Sequence, residues 1–240
     1  MAGDKQAIPS VWTRPRRGRE QPALSREQIV AEAVRLLDAD GLEALSMRTL
    51  GTRLGAGATS LYRHVANKDE LIELVVDEVY GEIEVPSGGE WRAVARGCAQ
   101  SIRSMIVRHP WIASALGQVG LSYLGPNVMR LNDGMLGIFE EAGFTLAEAD
   151  RALGAMVSYV IGMGVTEAAW LTMLARSGKT EKEWGDYLRP TVEAAAEPYP
   201  RLKKLFSETT THEDPGEARE DSFGYGLERM LDGLETRLGR

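Results

Sequence analysis

Tyr62, Arg63 and His64 stand side by side, just after the short run Ala58-Thr59-Ser60-Leu61. A phenol, a guanidinium and an imidazole beside two small hydroxyls suit one kind of chemistry, contact with phosphate oxygens and base edges. Helical spacing turns Leu50, Leu54 and Leu61 inward and leaves Ala58, Thr59, Ser60, Tyr62, Arg63 and His64 nearer the outside. The plainer alternative is a generic three-helix bundle with a polar surface. Catalytic arrangements are missing: there is no G-x-G-x-x-G, no Walker motif and no H-E-x-x-H. Ser, His and Asp occur in no catalytic motif, so no enzyme is expected. Cys98 is the single cysteine, which excludes an intrachain disulfide framework and a thiolate zinc site. No metal and no cofactor are expected.

The elements that must position these side chains begin at Ser25. Ser25 and Gln28 make a capping box, and Ile29, Ala33, Leu36 and Leu37 fall on one helical face. Gly41 ends that helix. Ser46 is the next N-cap, with Leu50 and Leu54 as the buried face of a short helix. Gly55-Ala56-Gly57 is a tight connection, and a third short helix is predicted over 58–64. Asn67 caps a fourth, with Glu70 completing its box and Leu71, Leu74, Val75 and Val79 as its apolar stripe. Three short helices with a brief turn between the second and third form the helix-turn-helix pattern. The second needs only enough length to brace the third, whose exposed face reaches the DNA.

Charge supports this placement. The chain has 240 residues and a formal net charge of −7. Residues 1–68 carry 11 Lys/Arg against 7 Asp/Glu, whereas residues 69–240 carry 17 against 28. A small basic module therefore precedes a larger acidic one, and the acidic body helps to orient the basic face towards DNA. Residues 1–24 lack apolar periodicity but hold Arg14, Arg16, Arg17 and Arg19. They read as a flexible basic arm, either a soluble leader or a contact to the minor groove or phosphates. No apolar stretch and cleavage motif follow the start, and no run approaches the ~18 apolar residues of a membrane span. The expected compartment is the cytoplasm.

Beyond residue 90 the pattern stays helical. Trp91, Val94, Cys98, Ile102 and Met105 follow helical spacing to a break at His109-Pro110. A short helix near Trp111, one from Pro126 to about Ala142 and a long one from Thr145 to about Leu174 follow. The long helix is apolar on more than one face, so one face is free for a partner chain. Thr180 and Glu183 cap another helix, residues 207–222 read as a mobile loop, and the last helix is predicted over 223–238. No strand is convincing. The expected fold is all-α: the arm 1–24, a helix-turn-helix domain over 25–72, and a larger helical domain over 73–240.

Residues 25–72 resemble the DNA-binding domain of the TetR family of bacterial regulators. The resemblance lies in Ser46 to Gly55, in Ala58 to Val65 with its Leu-Tyr-Arg-His-Val ending, and in Asn67-Lys68. Residues 91–236 are similar to a tetracycline-repressor-type regulatory domain through His109-Pro110-Trp111, Glu141-Ala142-Gly143-Phe144 and the segment from Phe223 to Glu235. The resemblance implies a homodimeric repressor on a palindromic operator, released by a small-molecule inducer. The dimer would form through the helices at 146–174 and 223–238. A regulator of the same fold without an inducer, or an activator, is the alternative. By matching position, Arg48, Thr59 and Ser60 are base readers, Tyr62, His64 and Lys68 are backbone contacts, and Arg63 reaches base or phosphate. Met47 stands where relatives often present a small polar residue, and Ala58 where the tetracycline repressor uses a polar one, which implies a different operator. A metal-chelated drug is not expected, because Leu116 occupies the position of the metal-binding histidine.

For the inducer, Met105, Met129, Met135, Met156 and Met163 lie in the C-terminal domain with Trp111, Leu116, Phe139, Tyr159 and Trp170. Methionine adapts to irregular shapes, so this set suits a largely apolar, aromatic ligand. For each methionine taken singly, plain core packing is the simpler account. Asn127, Asn132, Gln118, Ser158 and Thr166 are the candidate polar anchors.

Overall fold

The computed structural model describes residues 24–86, 88–119, 125–209 and 214–238. Among them there is no strand, and eleven α-helices follow in order. The first four are α1 (Arg26–Asp40), α2 (Met47–Arg53), α3 (Ala58–Leu61) and α4 (Lys68–Tyr80), with a 3-10 turn at Leu42–Ala44. The remainder are α5 (Trp91–Arg108), α6 (Ile112–Val119), α7 (Pro126–Glu141), α8 (Leu146–Ser177), α9 (Glu181–Ala196), α10 (Pro200–Thr209) and α11 (Pro215–Arg237). The arginines of the N-terminal arm lie outside the described residues.

Side chains set the helix starts. Ser25 and Gln28 cap α1 reciprocally, and Thr145 and Glu148 do the same for α8. Asn67 accepts from Glu70 N at 2.8 Å, but the Glu70 carboxylate turns back to Ala66 N at 2.6 Å and so extends the expected box by one residue. Two expectations change. The third helix is regular only over Ala58–Leu61 and continues to His64 as turns. The expected loop at 207–222 is helical at both ends, with α10 reaching Thr209 and α11 starting at Pro215. Asp214 accepts from Gly216 N at 2.7 Å and Pro215 occupies the first turn, where its missing N–H costs nothing.

α5 is the central stave. It packs on α8 and α7, while α8 also meets α7 and α11. Trp91, Phe139 and Phe144 pack at 5.7–6.0 Å between centroids, Phe144 edge to face with both other rings and Trp91 tilted on Phe139, and close one end of this core. α4 joins the two halves, packing on α1 on one side and on α6 and α7 on the other. α8 is long and apolar enough to cross a membrane by composition, and it packs on α5, α7 and α11 of the bundle.

Charged groups clasp α11 to α5. Arg92 reaches Glu228 at 2.9 Å, Asp232 at 2.6 Å and also Glu235, and Arg96 reaches Glu228 at 2.6 Å. Hydrogen bonds from Arg96 hold the Glu228 carboxyl below the usual carboxylate range, and those from Arg92 do the same for Asp232. These groups release their protons at lower pH when folded than when unfolded. The clasp therefore contributes fully above about pH 4, the ordinary carboxylate value, and is lost as pH falls through the depressed folded values. Arg92→Met is expected to lower the melting temperature at neutral pH, with the gap to wild type closing in acid. A gap constant with pH in thermal unfolding would show that the clasp does not stabilise the fold.

Candidate nucleic-acid interface and effector cavities

The N-terminal helices form one outward face. Leu50 and Leu61 are fully buried, Leu54 is half-buried, and Val65 closes the core beneath α3. With these anchors turned in, Arg48, Thr59, Tyr62 and Arg63 are exposed, and Ala58, Ser60, His64 and Lys68 are half-exposed. Tyr62 is 52% exposed, unusual for an aromatic residue without a partner to cover it. Met47 turns inward and is 7% exposed, so it belongs to the core and offers DNA no contact.

The cations divide into two groups. Arg35 and Arg53 pair with Glu32, Arg53 also approaches Asp40 at 3.5 Å, and Arg26 approaches Glu70 at 3.5 Å. The Arg53 hydrogen bond holds the Glu32 carboxyl below its usual range. Arg26 also donates to the His64 carbonyl at 3.3 Å from two of its nitrogens, which fixes the end of the α3 turn against α1. Among the described residues, Arg48, Arg63 and Lys68 make no ion pair. The paired arginines brace the frame, and the unpaired cations stand on the outward face.

The turn between α2 and α3 requires glycine at two places. Gly55 adopts φ +63°, a region that L side chains rarely enter. Gly51 lies under the turn, accepts from Ala56 N at 2.8 Å, and would place a Cβ 2.8 Å from the Ala56 carbonyl oxygen. Gly51→Ala is therefore expected to destabilise the N-terminal helices by about 1–3 kcal/mol, the usual cost of overpacking. Chemical denaturation checks this, and an unchanged midpoint would mean that the turn relaxes freely.

Among the described residues, those expected around an inducer fall in several places. Met105, Met135, Phe139 and Met156 are at most 2% exposed and fill the core. Leu116 packs on that core, and Met129 faces outward at 42% exposure. Tyr159 donates to the Phe223 carbonyl at 2.8 Å and stacks on the Phe223 ring, tying α8 to α11. Asn127 holds Asp77 and so ties α7 to α4. Asn132 is half-buried, Ser158 is exposed, and the Gln118 side chain lies outside the described residues. Met163, Thr166 and Trp170 do meet, in a cavity of about 470 Å³ between α8, α9 and α11. Sequence reasoning missed Arg103 and Arg219 in its wall. The available signal was Arg103 itself, a charge among the buried residues Ala99, Ile102 and Met105 of α5.

Trp111 lies instead at the joint between the two halves. Its Nε1 donates to Asp38 Oδ1 of α1 at 2.7 Å, and the same oxygen lies 2.7 Å from His109 Nδ1. His109 is buried, and its Nε2 lies 3.2 Å from Glu82, which also pairs with Arg108. One carboxylate of the reading module thus holds two side chains from the α5–α6 corner. Beside this joint runs a groove of about 840 Å³, bounded by the end of α1 and by Val165, Ala169 and Met173 of α8.

Comparison with known proteins agrees with both halves. Residues 29–75 match the family described as bacterial regulatory proteins, tetR family. Residues 85–238 match the tetracyclin repressor-like C-terminal domain. The chain is 36% identical over 230 residues to the HTH-type transcriptional repressor DrrR1 of Streptomyces coeruleorubidus, covering 93% of this chain and 81% of that one. It is 39% identical over 164 residues to an HTH-type transcriptional regulator of Saccharopolyspora erythraea, covering 67% and 69%. Among solved structures, ActR of Streptomyces coelicolor in complex with actinorhodin is similar with a TM-score of 0.72 and 29% identity, covering 89% of this chain and 96% of that one.

Proposed function

Because the chain belongs to the TetR family of bacterial transcriptional regulators, with a tetracycline-repressor-type C-terminal domain, we propose that it is a ligand-responsive repressor. In this reading a homodimer binds a palindromic operator and is released by a small, largely apolar molecule. Residues 25–72 read DNA, and residues 73–240 dimerise and bind the inducer. The carrying observation is the outward face formed by α2, α3 with its following turn, and the start of α4, where among the described residues Arg48, Arg63 and Lys68 have no carboxylate partner while Arg26, Arg35 and Arg53 do. Coulombic attraction then goes to phosphate, and Thr59, Ser60 and Arg48 meet base edges.

Dimerisation is supported by α8. Only a third of its most apolar stretch is buried within the chain, although the helix is hydrophobic on several faces. Pairing α8 and α11 with their copies covers that surface as a four-helix bundle. A two-fold dimer implies a two-fold operator, with half-sites roughly 34 Å apart in successive major grooves. The inducer reading draws support from ActR, solved with actinorhodin and with (S)-DNPA, and from DrrR1, which is named a repressor. Release follows if the inducer binds the non-operator arrangement more tightly. As a regulator of bacterial DNA, the protein acts in the cytoplasm.

Enrichment of genomic fragments by the purified protein at moderate salt, with light scattering for mass, tests this reading. A recovered palindrome bound by one dimer is the expected result. Enrichment of asymmetric single sites by a monomer would overturn it.

A further inference from the structure

We propose that the cavity between α8, α9 and α11 is a ligand site for a flat aromatic molecule whose edge carries hydrogen-bond donors, such as phenolic hydroxyl or amino groups. The proposal rests on the repressor reading for its consequence but not for its chemistry. At about 470 Å³ the cavity falls in the range of small-molecule sites. Met163, Trp170 and Phe223 supply apolar and aromatic wall. The core methionines Met105, Met135 and Met156 are at most 2% exposed, whereas Met163 and Trp170 meet in this cavity.

The polar wall decides the ligand's edge. Thr166 donates its hydroxyl proton to the Gly162 carbonyl at 2.8 Å, and Ser222 donates to the Ala218 carbonyl at 2.7 Å. Both hydroxyls therefore face a ligand with lone pairs. The Trp170 indole N–H is engaged by Glu181, which also pairs with Arg219. Arg103 is engaged by both oxygens of Glu167, at 2.6 and 3.1 Å, and by Glu220 at 2.5 Å. Among the described residues, the Glu181 contacts use Oε1 and leave Oε2 as an acceptor. The cavity wall sets Arg103 and Arg219 against Glu167 and Glu181, two positive groups against two negative, and Arg219 Nε is buried there without a hydrogen-bond partner among the described residues. The wall is therefore balanced in charge: the two hydroxyls and Glu181 Oε2 accept from donors on a ligand's edge, and Arg219 Nε donates to a carbonyl oxygen on its ring.

The cavity is placed to act on the reading module. Met163, Thr166 and Trp170 line it, while Val165, Ala169 and Met173 of the same helix line the groove against the end of α1. A rigid ring system that displaces this stretch of α8 therefore moves the support of Asp38 and its partners.

Binding of 2,6-diaminoanthraquinone, whose neutral amino groups lie away from the quinone oxygens, and of the donor-free parent anthraquinone to the full-length protein tests the proposal, read by quenching of tryptophan fluorescence and by release of operator. 2,6-Diaminoanthraquinone is expected to bind at one per chain and anthraquinone at least about fivefold more weakly, the worth of one or two hydrogen bonds lost from its edge. Ala218→Phe fills the cavity and should weaken 2,6-diaminoanthraquinone by roughly tenfold or more, a modest steric penalty on the affinity scale. Thr166→Val removes one acceptor with little change of shape and should weaken it by about two- to tenfold. Both variants should keep operator affinity in the absence of probe, and Thr166→Val decides the matter if Ala218→Phe folds poorly. Absence of 2,6-diaminoanthraquinone binding, equal binding of anthraquinone, or binding unchanged in both variants overturns the proposal. Operator binding without probe binding would remove the cavity and leave the repressor reading standing. Variant-sensitive probe binding by a protein with no operator would do the reverse.

Discussion

Arg48→Ala is expected to lower operator affinity by about 10- to 100-fold, the worth of one good bidentate base contact, while leaving the dimer intact. Arg48 is exposed on α2 and makes no ion pair among the described residues, so its removal breaks nothing within the chain. The loss should depend on sequence: large on the true operator and small on random DNA. Lys68→Ala provides the contrast. As a phosphate contact at the start of α4, its loss should weaken all sequences similarly and reduce the salt slope by about one. Tyr62→Phe separates a hydroxyl-to-phosphate bond from stacking of the ring. Fluorescence anisotropy on operator and scrambled duplexes at two salt concentrations, with light scattering for mass, distinguishes these roles. Arg48→Ala binding within twofold of wild type on the operator would remove Arg48 from the reading set.

The reading module was more legible in the sequence than the effector half, and the reason is the range of the interactions. Ser25 with Gln28, Ser46 with Thr49 and Asn67 with Glu70 are contacts three residues apart, so they announce themselves as local patterns. The spacing of Leu50 and Leu61 likewise dictates which side chains turn outward. The start of α11 was hidden because Asp214-Pro215-Gly216, a valid helix start, follows a threonine-rich run that reads as loop. Met47 lies between Ser46 and Arg48, and neither flanking residue reveals that it turns inward. In the effector half, apolar type alone cannot separate a residue that fills a core from one that lines a cavity. Met156 is fully buried and Met163 lines the cavity, yet both lie on α8 in similar surroundings. The contact between Asp38 and His109 joins positions 71 apart and leaves no local trace.

That long-range contact carries the second large expectation. Asp38→Ala should loosen the protein's discrimination between operators of different half-site spacing. One base pair inserted between half-sites moves them about 3.4 Å apart and rotates one against the other. A dimer with rigidly held reading heads should lose at least about tenfold in affinity, since docked heads cannot follow without breaking their joint. The Asp38 carboxylate is a main part of that joint: it accepts from Trp111 Nε1 and meets His109 Nδ1, both at 2.7 Å. Without it, the Trp111 N–H and one nitrogen of the buried His109 lose their partner, which costs about 1–3 kcal/mol in the docked arrangement. The undocked arrangement, where water serves both groups, does not bear that cost. The reading heads then swing more freely, and affinity should fall on the natural operator and fall less steeply on the inserted one. Asp38→Asn keeps an acceptor for Trp111 and should behave between wild type and Asp38→Ala, an order that a general loss of stability would not produce. Affinities for both duplexes, measured well below the melting temperature of each variant, give the ratio directly. An insertion penalty in Asp38→Ala equal to that of wild type would mean that the heads are held by α4 alone.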